Sequence, residues 1–108
     1  MKHRVVLTSR AKVDLYQAAL WWAEHRDSQQ AANWLEKFEA AIAALQNNPQ
    51  RHPTAREDQL FEFQLRQLIF GLGKRATHRA LFELRGGTVW VRAIRHLHQD
   101  DVTPDDLG

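Results

Sequence analysis

The sequence predicts an α+β fold, a helical hairpin packed on a small antiparallel sheet in the order β-α-α-β-β-β. Three observations predict it. Apolar residues recur at helical spacing through the first 45 positions. The apolar period changes to two after residue 60. A Gly86-Gly87 pair then joins two alternating runs, a strong hairpin signal because glycine accepts positive φ at no steric cost.

Arg4-Val-Val-Leu7 is β-branched and apolar, a short first strand. Thr8 or Ser9 offers a side-chain oxygen to the free N–H groups of a helix start. Ala11, Leu15, Ala18 or Ala19, and Trp22 lie on one stripe of that helix, which runs to about His25. Asp27-Ser28 caps a second helix, whose stripe is Ala31, Trp34, Leu35, Phe38, Ile42 and Leu45. Asn47-Asn48-Pro49 ends it, since proline cannot continue a helix. So short a link makes the helices antiparallel neighbours. Residues 49–60, with Pro49 and Pro53, read as a loop. Phe61, Phe63 and Leu65 alternate with polar residues, and Leu68-Ile69-Phe70 continues as a buried run. Gly71-Leu72-Gly73-Lys74 turns the chain, and residues 77–84 and 88–95 are two further strands. One sheet face packs on the hairpin and the other is open to a partner.

A chain of 108 residues is one domain, predicted over residues 1–101 with an acidic tail at 102–108. Hydrophobic residues at 44% and charged residues at 26% suit a globular protein and exclude global disorder. No apolar run is long enough for a membrane helix, and Val5-Val-Leu7 is too short for a signal peptide. Without cysteine there is no disulfide, thiolate metal site or thiol nucleophile, and the cytoplasm is the expected compartment. The net charge of +2 is unevenly spread. Residues 62–99 carry seven Lys/Arg against Glu62 and Glu83 alone, while Asp100, Asp101, Asp105 and Asp106 crowd the end. Local positive charge of this kind marks an anion-facing surface.

Arg66, Arg79, Arg92 and Arg95 lie on three consecutive strands and are the target-binding candidates. Strand alternation puts Arg66 and Arg79 on the polar phase. It groups Arg92 with Trp90, Ile94 and His96, and sets Arg95 opposite unless a bulge intervenes. Solvated surface arginines are the bland alternative, and the scarcity of interleaved carboxylates counts against it. His96-x-His98 has a spacing compatible with a metal, but no third ligand stands nearby and no metal or cofactor is expected. His96 suits proton transfer near neutrality better. Trp22 and Trp34 fit the core. Trp21 lies off the stripe, at the border of a groove, and Trp90 is either core or a stacking platform.

The runs Arg66-Gln-Leu-Ile-Phe70, His78-Arg-Ala-Leu-Phe-Glu-Leu84 and Thr88-Val-Trp-Val-Arg-Ala-Ile-Arg-His96, with Asp100 soon after, resemble the sheet half of the RelE/ParE toxins of bacterial toxin–antitoxin systems. Ala11-x-x-Asp14-Leu15 and Leu45-x-x-x-Pro49 extend the likeness over about residues 4–101. The resemblance implies a toxin neutralised by a cognate antitoxin, with Trp21 and Trp90 as antitoxin-binding candidates. It implies one of two targets. A ParE-like member inhibits DNA gyrase without chemistry of its own. A RelE-like member cuts mRNA on the ribosome, and Arg66, Arg79, Arg92 and His96 would then be catalytic. The long hairpin, the modest net charge and the lack of any tyrosine beyond Tyr16 favour the ParE-like reading. A non-toxic basic interaction module of the same fold is the remaining alternative.

Overall fold

The computed structural model describes residues 2–107; Met1 and Gly108 lie outside the described residues. The elements are β1 (Arg4–Leu7), α1 (Ser9–His25), α2 (Ser28–Ala43), β2 (Arg66–Phe70), β3 (His78–Arg85), β4 (Thr88–His96) and a terminal α3 (Pro104–Leu107). Short 3₁₀ turns occupy Ala44–Gln46, Pro49–Arg51 and Asp58–Leu60.

Both helices begin where their caps dictate. The Thr8 hydroxyl accepts the Ala11 N–H at 3.2 Å, and the Asp27 carboxylate accepts the Gln30 N–H at 2.8 Å. α2 tightens into a 3₁₀ turn before Asn48, which takes a left-handed φ of 49° ahead of Pro49.

The sheet order is β1-β4-β3-β2. The three later strands are antiparallel, as the alternation predicts. β1 adds to β4 in parallel, so the sheet is mixed rather than wholly antiparallel. The reason is the helical hairpin, a crossover long enough to return the chain in the same direction. Residues 61–65 correct the expected strand. Residues 61–63 bend, Leu65 is buried, and none of the five joins a sheet ladder. Their polar groups go elsewhere: the Leu65 N–H donates to Asp58 Oδ1 at 2.7 Å, and the Leu65 carbonyl accepts from Ala55 N–H at 2.7 Å. Between β3 and β4 the turn needs a left-handed residue only at Gly86, where φ is 61°.

The helix-side core joins Ala11, Leu15, Trp34, Phe38, Ile42 and Leu45 to Leu68, Ala80, Phe82, Val89, Val91 and Ile94. The opposite face is not open as expected. Leu81 and Ala93 there form a second core with Ala55, Leu65 and Val102, flanked by Phe61, Phe63 and Leu107. The loop before β2 and the segment after β4 thus cover this face. The acidic end folds back against the domain, with Val102 fully buried.

A bulge decides which side chains share a face. β3 and β4 pair Phe82 with Val91 but Leu81 with Ala93, so Arg92 is the extra residue. Before it, Val89 and Val91 face the helices. After it, Ile94 does, paired with Ala80, and His96 follows in the same phase opposite His78.

Candidate functional site

The bulge redistributes the arginines. Arg95 pairs in register with Arg79, on the face away from the helices, and Trp90 pairs there with Glu83. His96 and Ile94 are displaced to the helix face, which corrects their expected grouping with Arg92 and Trp90. Arg66 is in register with Phe82 and so belongs to the helix-face phase, apart from Arg79. The four arginines therefore do not converge on one face.

Each is also engaged. Arg79 is 1% exposed, which corrects its place on a target-binding surface. Its Nη1 donates to Glu57 Oε1 at 2.7 Å and to Gln67 Oε1 at 3.3 Å, and its Nη2 donates to Glu57 Oε2. Glu57 Oε2 also accepts the Val102 N–H at 2.9 Å. Burial alone pushes the Glu57 carboxyl upward. The Arg79 and Val102 hydrogen bonds and the Arg79 charge outweigh it and hold the pKa below the ordinary 4.5. This buried fork ties the 53–65 loop, β3 and the C-terminal segment together.

Arg92 donates to the buried Glu83 at 2.8 Å, with its guanidinium 5.4 Å from the centre of the Phe63 ring. Arg85 reaches the same Glu83 oxygen at 2.9 Å. Arg95 is 3.3 Å from Asp106, whose backbone carbonyl accepts from Arg10 at 2.9 Å. The Thr103 N–H, then its hydroxyl and the nearby Arg95 and Arg10 charges, hold the Asp106 carboxyl below its ordinary range. Arg66 donates to the His52 carbonyl and to Gln64 Oε1 at 2.8 Å.

The histidines gather on the helix face. His78 and His96 face each other with ring centroids 5.1 Å apart. Burial, and secondarily the His96 charge, push His78 down to about 4, so it is neutral at pH 7. Its Nδ1 pairs with the Thr77 hydroxyl at 2.8 Å. His96 Nδ1 accepts the His98 N–H at 3.1 Å. Among the described residues no three His, Asp or Glu side chains gather as a metal site.

The two tryptophans read as antitoxin contacts occupy opposite faces. Trp21, half exposed, borders a cleft on the helix face with Trp22, His78 and His96. Trp90 is half-buried beside Glu83 on the other. Sequence reasoning passed over Glu57, Glu83 and His78. Little local marks the two glutamates: Glu57 meets Arg79 across 22 residues, and Glu83, beside Arg85, meets Arg92 across 9. Counting outward from Gly86-Gly87 would find His78 opposite His96 only if the bulge were known.

The model of the ParE toxin family, toxins of type II toxin–antitoxin systems of the parDE kind, matches residues 5–101. No curated protein matches the sequence. Among solved structures, a chain of the chromosomal ParDE toxin–antitoxin system from P. aeruginosa superimposes with a TM-score of 0.72 at 15% identity. The match covers 90% of this chain and 98% of that one.

Proposed function

The chain belongs to the ParE toxin family of type II toxin–antitoxin systems, and on that premise we propose that it arrests growth by binding DNA gyrase, without chemistry of its own, until a cognate antitoxin covers it. The observation that carries the binding reading is the state of the arginines. Cleaving RNA by 2′-hydroxyl attack calls for preorganised cations free to meet charge developing on phosphorus. Arg79 is sealed against Glu57, Arg92 is paired to Glu83, and Arg95 to Asp106. Such pairs suit a rigid recognition surface better than a catalytic one. Arg92 and Arg95, which keep partial exposure on the face away from the helices, are the residues we assign to target contact, with Arg66 at the neighbouring edge.

Antitoxin docking is supported by α1 and by the sheet edge. Val13, Tyr16 and Leu20 form an exposed apolar stripe at helical spacing, and Trp21 borders it. The outer side of β1 pairs with no strand among the described residues, which leaves an edge for strand addition.

Purified protein assayed against gyrase with relaxed and supercoiled DNA, beside a translating ribosome assay, tests the proposal. Inhibited supercoiling with intact mRNA is the expected result. Cleaved message with unaffected gyrase would end it in favour of the ribonuclease alternative. If expression without antitoxin leaves growth unaffected, the domain is an interaction module. Arg92→Ala with Arg95→Ala should lower toxicity at least tenfold if the target contact is placed correctly.

A further inference from the structure

The helix-face cleft, whose Trp21 also borders the antitoxin-docking stripe, has a chemistry that gyrase contact does not use. It lies between the C-terminal half of α1 and the ends of β3 and β4 and holds about 520 Å³, within the range of small-molecule sites. Its aromatic wall is a corner: Trp21 and Trp22 meet at 87° with centroids 5.9 Å apart. Trp22 is held from behind by Trp34, stacked 6.3 Å away. The polar groups around this corner are mostly donors. Trp22 Nε1 is buried without a partner and is sealed from the cleft. The Arg26 guanidinium, 6.0 Å from the Trp22 ring centre, forms no ion pair among the described residues. His96 accepts at Nδ1, which leaves its proton on Nε2 when neutral. Gln99 accepts the His96 N–H at 2.7 Å through Oε1, leaving its NH₂ to donate.

The one carboxylate in the wall does not oppose an anion. Asp14 Oδ1 is held by Arg10 at 3.1 Å and Oδ2 by the Ile94 N–H at 3.0 Å. Trp21 is stacked on His25 at 4.5 Å, and Trp22 lies between Trp34 and the Arg26 guanidinium, so the cleft presents the Trp21 ring, the His96 and Gln99 side-chain N–H donors and one unneutralised cation. A neutral ring would leave Arg26 unused, and an aliphatic anion would leave the Trp21 ring unused. A ligand with both a planar ring and a negative group satisfies the whole wall.

We propose that this cleft binds a nucleoside monophosphate, its base against the Trp21 ring and its phosphate on Arg26 and the His96 Nε2–H. The same chemistry is carried by a free nucleotide and by the 5′-phosphorylated end of a single strand.

Calorimetric titration of the full chain with AMP tests this, with adenosine, ribose 5-phosphate and inorganic phosphate as controls. Saturable binding of AMP is expected, at least tenfold tighter than each control. Arg26→Gln and Trp21→Leu should each weaken it about tenfold without lowering the unfolding temperature, since both side chains are exposed. A 5′-phosphorylated trinucleotide binding more tightly than AMP assigns the strand end, and weaker binding assigns the free nucleotide. No saturable AMP binding, equal affinity for phosphate alone, or an unchanged affinity in Arg26→Gln would overturn the proposal. So would preferential binding of a tryptophan–aspartate peptide over AMP, which would make the cleft a protein-docking site.

Discussion

Arg79→Leu removes one half of a buried ion pair and leaves Glu57, itself 1% exposed, with the Val102 N–H as its remaining donor. Breaking a buried pair on one side costs about 3–5 kcal/mol, because the surviving charge keeps its desolvation penalty. That is a large share of the roughly 5–15 kcal/mol that holds a domain folded. For a chain of this size, with a urea slope of about 1–2 kcal/mol/M, the midpoint should fall by about 1.5–5 M at pH 7. The pH dependence makes the test specific. In the parent protein the Glu57 pKa is depressed, so its contribution is present above 4.5 and is lost as pH falls through the folded value. Without Arg79 the same carboxyl is desolvated and its folded pKa rises above the unfolded one. Its stability is then greatest at low pH and is lost as pH rises. The deficit of Arg79→Leu relative to the parent should therefore shrink between pH 7 and pH 5, by up to about 1.4 kcal/mol per unit. Glu57→Leu with Arg79→Leu should recover most of the loss. A cost below about 1 kcal/mol, a deficit that does not change with pH, or a double variant no better than Arg79→Leu would refute the assignment of this pair as the tie across the second core.

Asp27→Ala deletes the cap that accepts the Gln30 N–H and should cost about 1 kcal/mol, read as a fall of about 4–8 °C in Tm. Gly71→Ala places a Cβ 2.2 Å from the Arg75 carbonyl oxygen, and equilibrium unfolding should show a loss of about 1–3 kcal/mol as the β2–β3 turn shifts. His78 resists protonation when folded and takes it up at about 6.5 when unfolded, so stability falls as pH drops from 6.5 to about 4. His78→Phe should remove about 2 kcal/mol of that acid sensitivity, after allowance for solvent screening, in paired denaturation curves at pH 7 and pH 4.5. Val102→Ala opens space in the second core and should cost about 1–3 kcal/mol in urea titration, although it lies beyond the last strand.

The fold was legible wherever one period held over several residues. The stripes on α1 and α2, their caps and the Gly86-Gly87 turn all specify local geometry, and each element lies within a residue or two of its expected bounds. What escaped was set at a distance. Alternation at Phe61, Phe63 and Leu65 predicts extended backbone, yet residues 61–63 bend to pack Phe61, Phe63 and Leu65 into the second core. The candidate site fared worse because its phase turns on Arg92, one residue that nothing in the local pattern marks as a bulge. Without the bulge Arg95 and His96 exchange faces. Arg79 misled for a different reason: a polar phase on a strand means solvent only if no loop covers it, and here Glu57 arrives from a loop to meet it.

The parallel pairing of β1 with β4 has a consequence for synthesis. Arg4–Leu7 has no strand partner until Thr88–Val91 has been made, and the Thr8 hydroxyl reaches the Arg92 carbonyl across 84 positions. The hairpin of helices can assemble early, but its apolar face waits for the sheet that seals it, and the sheet waits for Thr88–Val91. Contacts so distant along the chain also close slowly. A polypeptide interrupted before residue 88 would therefore carry the helices without a partner for the first strand. Products that stop short of residue 88 are thus expected to be substrates for proteases, with the first strand and the helix face both unpaired.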